Sequence, residues 1–528
     1  MFRANDSHKQ QPIFSSLDWM HEKARERFKK SWAPVFYEHV FCHINEEPFA
    51  KLYSKTGRPN TPVNILLSLE YIKYMKDLND QDLLDSLYLD YQTTYAVGGK
   101  TLGEIYISER TLYYFRERVY EYLTEHPEDE NLLFGQFIEL LRNFAKLTGT
   151  SLDEQRTDTT MFVSNIKKAG RLALAYDVLE KGVKAIPKEQ RPESMGKVLE
   201  KDFKTEMLHK VRTVDTESRL TTLLSMSAEA LKILKELPDK KESDEVRILE
   251  RFIKEQSETD ENGNLVPKKS KEISSDSLQS AYDEDATYRK KGNKGQSGYV
   301  LEVSETCSKD NKVQLITDYA VKPNIVSDKE ILSGRIRKVK ENTGCTDMYI
   351  DGGFHSEDVY KAAEANDVQI HLTDMCGRKP SDKISVSEFE IKEETGLIEK
   401  CPAGHMPFRS VRAKGQLVAY FETDVCLQCE HFNRCYSKQQ NKNCVVRISE
   451  KAMETARKRE EIATCRKENV SKRAGIEGTV SALKRTGLNN MKVRGLIKST
   501  VVCGFLSMAQ NIKRVIKFLQ GGYAKVTT

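Results

Sequence analysis

DMYIDGG, Asp347 to Gly353, is a short apolar run that stops in a carboxylate and two glycines, the pattern of a strand presenting Asp351 at a turn. On its N-terminal side, GYVLEVSETC (298–307) and VQLITDYAVKP (313–323) have the alternation and length of antiparallel strands. SDKEILSGRIRKVKENT (327–343) then reads as a helix capped by Ser327 or Asp328. On its C-terminal side, HSEDVYKAAEAND (355–367) reads as a helix and VQIHLTDM (368–375) as a strand.

Further upstream, GTSLDEQRTDTTMFVSN (149–165) alternates polar and β-branched residues around Asp158, which predicts a strand with an exposed carboxylate. If that segment comes first, the series is three strands, helix, strand, helix, strand, the order of an α/β fold built on an RNase H-like mixed sheet. From Ile166 to about Ser270 the pattern is helical, charged and glycine-poor, as in LTTLLSMSAEALKILKEL and EVRILERFIKEQ. We read it as an inserted helical arm, a solvated spacer or interaction surface. Four helical segments lie between Ser15 and His126; Asn60 or Thr61 before Pro62 starts the second, and Ser108 the last. The expected parts are a helical N-terminal domain (1–135), a first strand region (150–168), a helical insertion (169–278), the rest of the sheet (279–380), a cysteine-rich insert (381–446) and C-terminal helices (447–528).

A chain of 528 residues, 38% hydrophobic and 31% charged, has the composition of an ordinary soluble globular protein with room for two to four domains. MFRANDSHKQQ lacks the apolar core of a signal peptide. The late apolar stretch between Lys498 and Lys513 is broken by Ser499, Thr500, Ser507, Gln510 and Asn511, so neither export nor a membrane span is expected. Of the net charge of +5, Lys451 to Thr528 carries +12 (17 Lys and Arg against 5 Asp and Glu), leaving −7 elsewhere. A basic segment of that size favours a polyanion, because each neutralised phosphate releases counterions. Gly98 to Thr101, GGKT, is not a phosphate loop, since Thr94 stands where that motif needs glycine. Gly292, Gly295 and Gly298 likewise lack a strand-to-helix setting, and Asp283 and Asp285 precede a loop with Lys290, Lys291 and Lys294 that reads as touching DNA or solvent. No Ser/His/Asp constellation appears among 10 scattered histidines.

Five of the eleven cysteines fall between Cys401 and Cys444. Cys426-Leu-Gln-Cys429 has the spacing that lets two thiolates reach one tetrahedral zinc, and Cys435 follows. The simplest closed site is Cys401, Cys426, Cys429 and Cys435, with His405, His431 and Cys444 as substitutes. Four ligands leave no open position, so such a zinc would be structural.

Phosphodiester cleavage uses two divalent ions about 3.5 to 4 Å apart, and hard ions take oxygen ligands. Asp158 and Asp351, on strands of one sheet, could supply two carboxylates. A third would come from a late helix. In SKRAGIEGTVSALKR (471–485), Ile476, Val480 and Leu483 share one face while Arg473, Glu477, Ser481 and Lys484 share another. Asp318 and Asp328 also sit among these blocks, but the Gly-Gly turn favours Asp351, and Asp328 reads as a helix cap.

RTDTTMFVSNIKKAGR, YDEDATYRKKGNKGQSGYVLEVSET, LITDYAVKPNIVSD, MYIDGGFHSEDVY, KRAGIEGTVSALKRTGLNNMKVRGLIK and AQNIKRV together resemble the successive blocks of the DDE transposases of bacterial insertion sequences. The branch it is most similar to has a CPAGH-containing cysteine insert and an N-terminal helical transposase domain. Only about Val178 to Ser275 matches weakly. The resemblance implies that Asp158, Asp351 and Glu477 bind two Mg²⁺ or Mn²⁺ ions, with Asp158 bridging, and that the reaction is hydrolysis at the element's ends followed by attack of the freed 3′ hydroxyl on target DNA. Arg473, Lys484, Arg485 and Arg494 would then grip phosphates. The N-terminal helices, with Arg58, Arg110, Arg116 and Arg118, would help recognise terminal inverted repeats in double-stranded DNA. A homodimer or higher oligomer on DNA, in a prokaryotic cytoplasm and at its nucleoid, is implied too. A catalytically silent DNA-binding derivative and a nuclease without strand transfer are the alternative classes.

Overall fold

The computed structural model describes residues 1–528 apart from 11–13, 128–131, 167–169, 210–214, 292–293, 376–381, 393 and 522–528. Its contacts divide into two compact units, Met1–Thr346 with Ile476–Thr528, and Asp347–Gly475.

The first unit opens with helices, among them α1 (Val63–Lys76), α2 (Glu109–Glu125) and α3 (Leu133–Thr148). Ser108 caps α2 as expected, accepting the Thr111 N–H. At α1 the cap position falls to Pro62 rather than Asn60 or Thr61. The N–H donors that its first turn leaves without intrahelical acceptors are satisfied from afar, Glu46 Oε2 accepting those of Val63 (2.7 Å) and Asn64 (3.1 Å). Strand β1 (Glu154–Phe162) follows.

The helical insertion forms α4 (Arg171–Ala185), α5 (Asp215–Glu236) and α6 (Asp244–Gln256). It is more than a solvated spacer. Leu179, Val183, Leu223, Leu224, Leu249 and Phe252 make a buried core of its own. Gly182 permits the close approach, since a Cβ there would stand 2.7 Å from Leu249 Cδ1.

The chain then returns to the sheet as β2 (Thr287–Lys291), β3 (Lys294–Thr306) and β4 (Ile316–Pro323). The lysine-bearing segment is a β2–β3 hairpin and not a loop; Gly292 lies outside the described residues. The C-terminal part of β3 pairs antiparallel with β1 on one side and β4 on the other. Helix α7 (Asp328–Thr343) is capped by Ser327, which accepts the Glu330 N–H, so Asp328 is not the cap; it sits in the first turn and pairs with Arg289 at 3.1 Å.

The second unit contains β5 (Asp347–Ile350), α8 (Glu357–Glu364) and β6 (Gln369–Leu372), with β5 and β6 parallel and Ile350 opposite Leu372. Its cysteine-rich part holds β7 (Arg409–Ala413), β8 (Gln416–Phe421), β9 (Ser437–Gln439) and β10 (Cys444–Ser449), a four-stranded sheet in the order β7-β8-β10-β9. Leu417, Ala419, Phe421, Val446 and Ile448 form its core. A 36-residue helix, α9 (Glu450–Arg485), and α10 (Leu496–Leu519) complete the chain.

The late apolar stretch is α10, and it runs through the main core of the first unit. Leu66 and Leu69 of α1, Phe115 of α2, Leu140 and Phe144 of α3, Leu301 and Val303 of β3, and Phe505, Met508 and Ile512 of α10 belong to one buried cluster. The N-terminal helices therefore have no separate core, and the boundary expected near residue 135 is not a break in packing. Even the polar interruption Asn511 is used, its amide bonding both the N–H and the C=O of Ile316 at 2.8 Å. Among the described residues no helix is long and apolar enough to cross a membrane.

Candidate active site and cysteine cluster

Alternation along β1 puts Arg156, Asp158 and Thr160 on one face. Asp158 is half-exposed opposite Val303 of β3, and its Oδ1 accepts the Thr159 N–H at 2.8 Å. Arg156 lies opposite Glu305, to whose Oε1 it donates from Nε (2.8 Å) and from its second terminal nitrogen (2.7 Å).

Glu477 belongs to the same unit, exposed on α9. The face of α9 buried there is Ile476, Thr479 and Leu483; Val480, expected on it, is only half-buried. Thr479 turns inward because its hydroxyl donates to Glu305 Oε2 at 2.6 Å. One buried carboxylate on β3 thus links the strand of Asp158 to the helix of Glu477.

Asp351 belongs to the second unit, directly after β5, where the strand-and-turn reading placed it. Its Oδ1 accepts the Gly353 N–H at 2.8 Å, capping a single turn of helix, and its Oδ2 lies 3.4 Å from Arg473. Asp374, which the sequence reading passed over, follows the parallel strand β6 and accepts the Gly352 N–H at 2.8 Å. Its signal was available: LTD closes β6 much as YID closes β5. Asn469 of α9 donates to the Leu372 carbonyl at 2.9 Å, and Lys472 to Tyr349 Oη at 2.8 Å.

Several cations proposed for phosphate have other work. Arg473 is largely buried against Asp351. Arg494 donates to the Asn165 carbonyl at 2.6 Å and lies over the Tyr282 ring. Arg116 is held between Glu70 and Asp80, both at 2.7 Å, so it braces helices. Arg485, Arg58, Arg110 and Arg118 are exposed, and Lys484 is half-exposed. Asp283 and Asp285 are also structural: they accept the N–H groups of Gly495 (3.0 Å) and Leu496 (3.2 Å), placing negative charge at the N-terminus of α10.

The structure brings four predicted thiols together. Cys401, Cys426, Cys429 and Cys435 line one cavity of about 20 Å³ with His405. Burial pushes the Cys426 thiol up to about 11, and the neighbouring Cys444 and Cys435 act in the same direction. Cys435 is raised as well, chiefly by burial and also by Cys401 and Cys429. His431 lies beside Glu430 instead. Among the described residues no three His, Cys, Asp or Glu side chains stand in metal-holding geometry. The cysteine set nevertheless fits zinc in donor type and number.

Two family models match the chain: one described as a transposase domain (DUF772), over residues 22–118, and one as a transposase DDE domain, over residues 400–516. The chain is therefore similar to transposase domains in its N-terminal and C-terminal parts. Together the matches are consistent with a DDE transposase of insertion sequences. The DDE match contains Glu477 and the four clustered cysteines, and it stops short of both Asp158 and Asp351. No curated protein and no solved structure matches the chain.

Proposed function

We propose that this chain binds the ends of an insertion sequence and catalyses metal-dependent DNA strand cleavage and strand transfer. The observation that carries the reading is the transposase DDE match over the helix of Glu477, a helix tied through Thr479 and Glu305 to the strand of Asp158. The strand and helix order around Asp351 supports an RNase H-like sheet. Asp158, Asp351 and Glu477 are hard oxygen donors suited to Mg²⁺ or Mn²⁺. Such ions, when bound, activate the attacking oxygen and stabilise the leaving one. The protein's own part is to orient these carboxylates. Arg473 holds Asp351 Oδ2 in place, while Lys484 and Arg485, in the last turn of α9, face the phosphate backbone.

The N-terminal helices take the terminal repeats, with Arg58, Arg110 and Arg118 as the exposed cations. A dimer or larger assembly holds two ends. A structural zinc on Cys401, Cys426, Cys429 and Cys435 staples the sheet of the second unit.

The test uses a labelled duplex carrying the DNA that flanks the coding sequence. Asp158→Asn, Asp351→Asn and Glu477→Gln should each lower Mn²⁺-dependent cleavage by about 1,000-fold, since a metal supplies several kcal/mol of transition-state stabilisation. Metal-free binding to the duplex should persist. A variant that still cleaves at the wild-type rate removes its carboxylate from the site, and products lacking joined donor and target DNA remove strand transfer.

A further inference from the structure

We infer that Glu305 is a positioning residue that sets Glu477 against Asp158, acting through the Thr479 hydroxyl. The inference rests on the assignment of Asp158 and Glu477 as metal ligands. Glu305 is fully buried, and its four acceptor sites are all used. Oε1 takes two N–H groups from Arg156, at 2.8 and 2.7 Å. Oε2 takes the Thr479 hydroxyl at 2.6 Å and Arg514 Nη1 at 3.0 Å. A saturated carboxylate has no lone pair left for a cation. Glu305 is therefore not itself a ligand.

What it does is join three elements. Arg156 stands two residues from Asp158 on the same face of β1, so its pairing fixes that strand segment against β3. Thr479 stands two residues from Glu477 on α9, and its hydroxyl also accepts from Arg514 of α10. Arg514 in turn donates to the Gln314 carbonyl at 3.0 Å, tying α10 to the approach of β4. Buried apolar contacts of Ile476 and Leu483 hold α9 on the core but are non-directional, so they leave it free to rotate and slide by fractions of an ångström. The directional bond from Thr479 to Glu305, two residues from Glu477, constrains that rotation. Glu477, exposed on the flank of the helix, would swing with it.

Thr479→Val keeps the shape and removes the hydroxyl; Thr479→Ser keeps the hydroxyl. The readout is Mn²⁺ binding to the full chain, followed by electron paramagnetic resonance of the free ion, alongside Mn²⁺-dependent nicking of supercoiled plasmid. Thr479→Val should weaken Mn²⁺ binding about tenfold, the size of a hydrogen bond to a charged group, and raise the Mn²⁺ needed for half-maximal nicking by the same factor. Thr479→Ser should restore both to within about twofold, because the bond is re-formed. Wild-type Mn²⁺ binding in Thr479→Val, or equal losses in both variants that follow a fall in unfolding temperature, overturns the proposal. Asp158→Asn separates it from the reading beneath it: unchanged Mn²⁺ binding there sinks the active-site assignment, whereas a loss there with none in Thr479→Val sinks the positioning role alone.

Discussion

The cluster around Glu305 in the first unit and the cysteine cluster in the second bury polar groups by opposite means. Glu305, Arg156, Arg514 and Thr479 satisfy one another within the protein, every carboxylate lone pair meeting a donor. The thiols of Cys401, Cys426, Cys429 and Cys435 line a common space, and burial makes Cys426 and Cys435 reluctant to ionise. A thiol is a weak donor and a weak acceptor, so the cysteines gain little from their own company. The difference teaches where an outside partner is needed. The first cluster is complete as folded, and the second is the one that the proposed zinc would complete.

The largest expected effect breaks the self-sufficient cluster. Glu305→Ala leaves two nearly buried guanidiniums without their carboxylate, and removing one partner of a buried ionic network costs about 3–5 kcal/mol. Denaturant unfolding should show a lower midpoint for Glu305→Ala with an unchanged slope. A loss below 1 kcal/mol would mean that water enters the cluster and the Arg side chains are not truly confined.

The cysteine cluster should answer to a different treatment. With zinc about 100-fold above its dissociation constant, linkage supplies about 2.7 kcal/mol, which a chelator removes. Chelation or Cys429→Ser should therefore lower the unfolding temperature of the full chain by amounts that do not add, since both abolish one ion. Metal analysis of the purified protein should find one zinc per chain, falling to none in Cys429→Ser. Additive losses, or a wild-type chain without zinc, would make the thiols ordinary core residues.

How much of this could be read from the sequence depends on how local the cause is. Asp351 was legible because a strand and a Gly-Gly turn fix it within seven residues. Ser108 and Ser327 were legible as caps for the same reason. The Cys426–Cys429 spacing announced a cluster, although the four-stranded sheet that carries it did not announce itself. Glu305 was invisible, because its partners lie 149, 174 and 209 residues away. The role of Asp283 and Asp285 was invisible for the same reason: nothing local shows that they accept from the start of a helix more than 200 residues downstream. Arg116 looked available for DNA because its exposure is decided by Glu70 and Asp80, on other elements.

Another buried acid, Glu302, supplies the smallest test. It lies on β3 opposite Thr159 and Ala320, 1% exposed, and neither carboxylate oxygen has a hydrogen-bond partner among the described residues. Arg335 is nearby, but its guanidinium is committed to Asp318 at 2.9 and 2.6 Å. Burial, reinforced by the charge of Asp318, holds the Glu302 carboxyl well above its ordinary value. The folded state therefore keeps a proton that the unfolded state releases near pH 4.3, so stability falls as pH rises from there through the folded value. Glu302→Gln, which mimics the protonated acid, should be indistinguishable from wild type near the unfolded value. At pH 8 it should be more stable by about 1 kcal/mol, the lower end of the cost of an unsatisfied buried group. The measurement is denaturant unfolding at pH 4 and pH 8. Equal stabilities at both would mean that Glu302 finds a partner when ionised, which would place it with Glu305 among the groups the protein satisfies for itself.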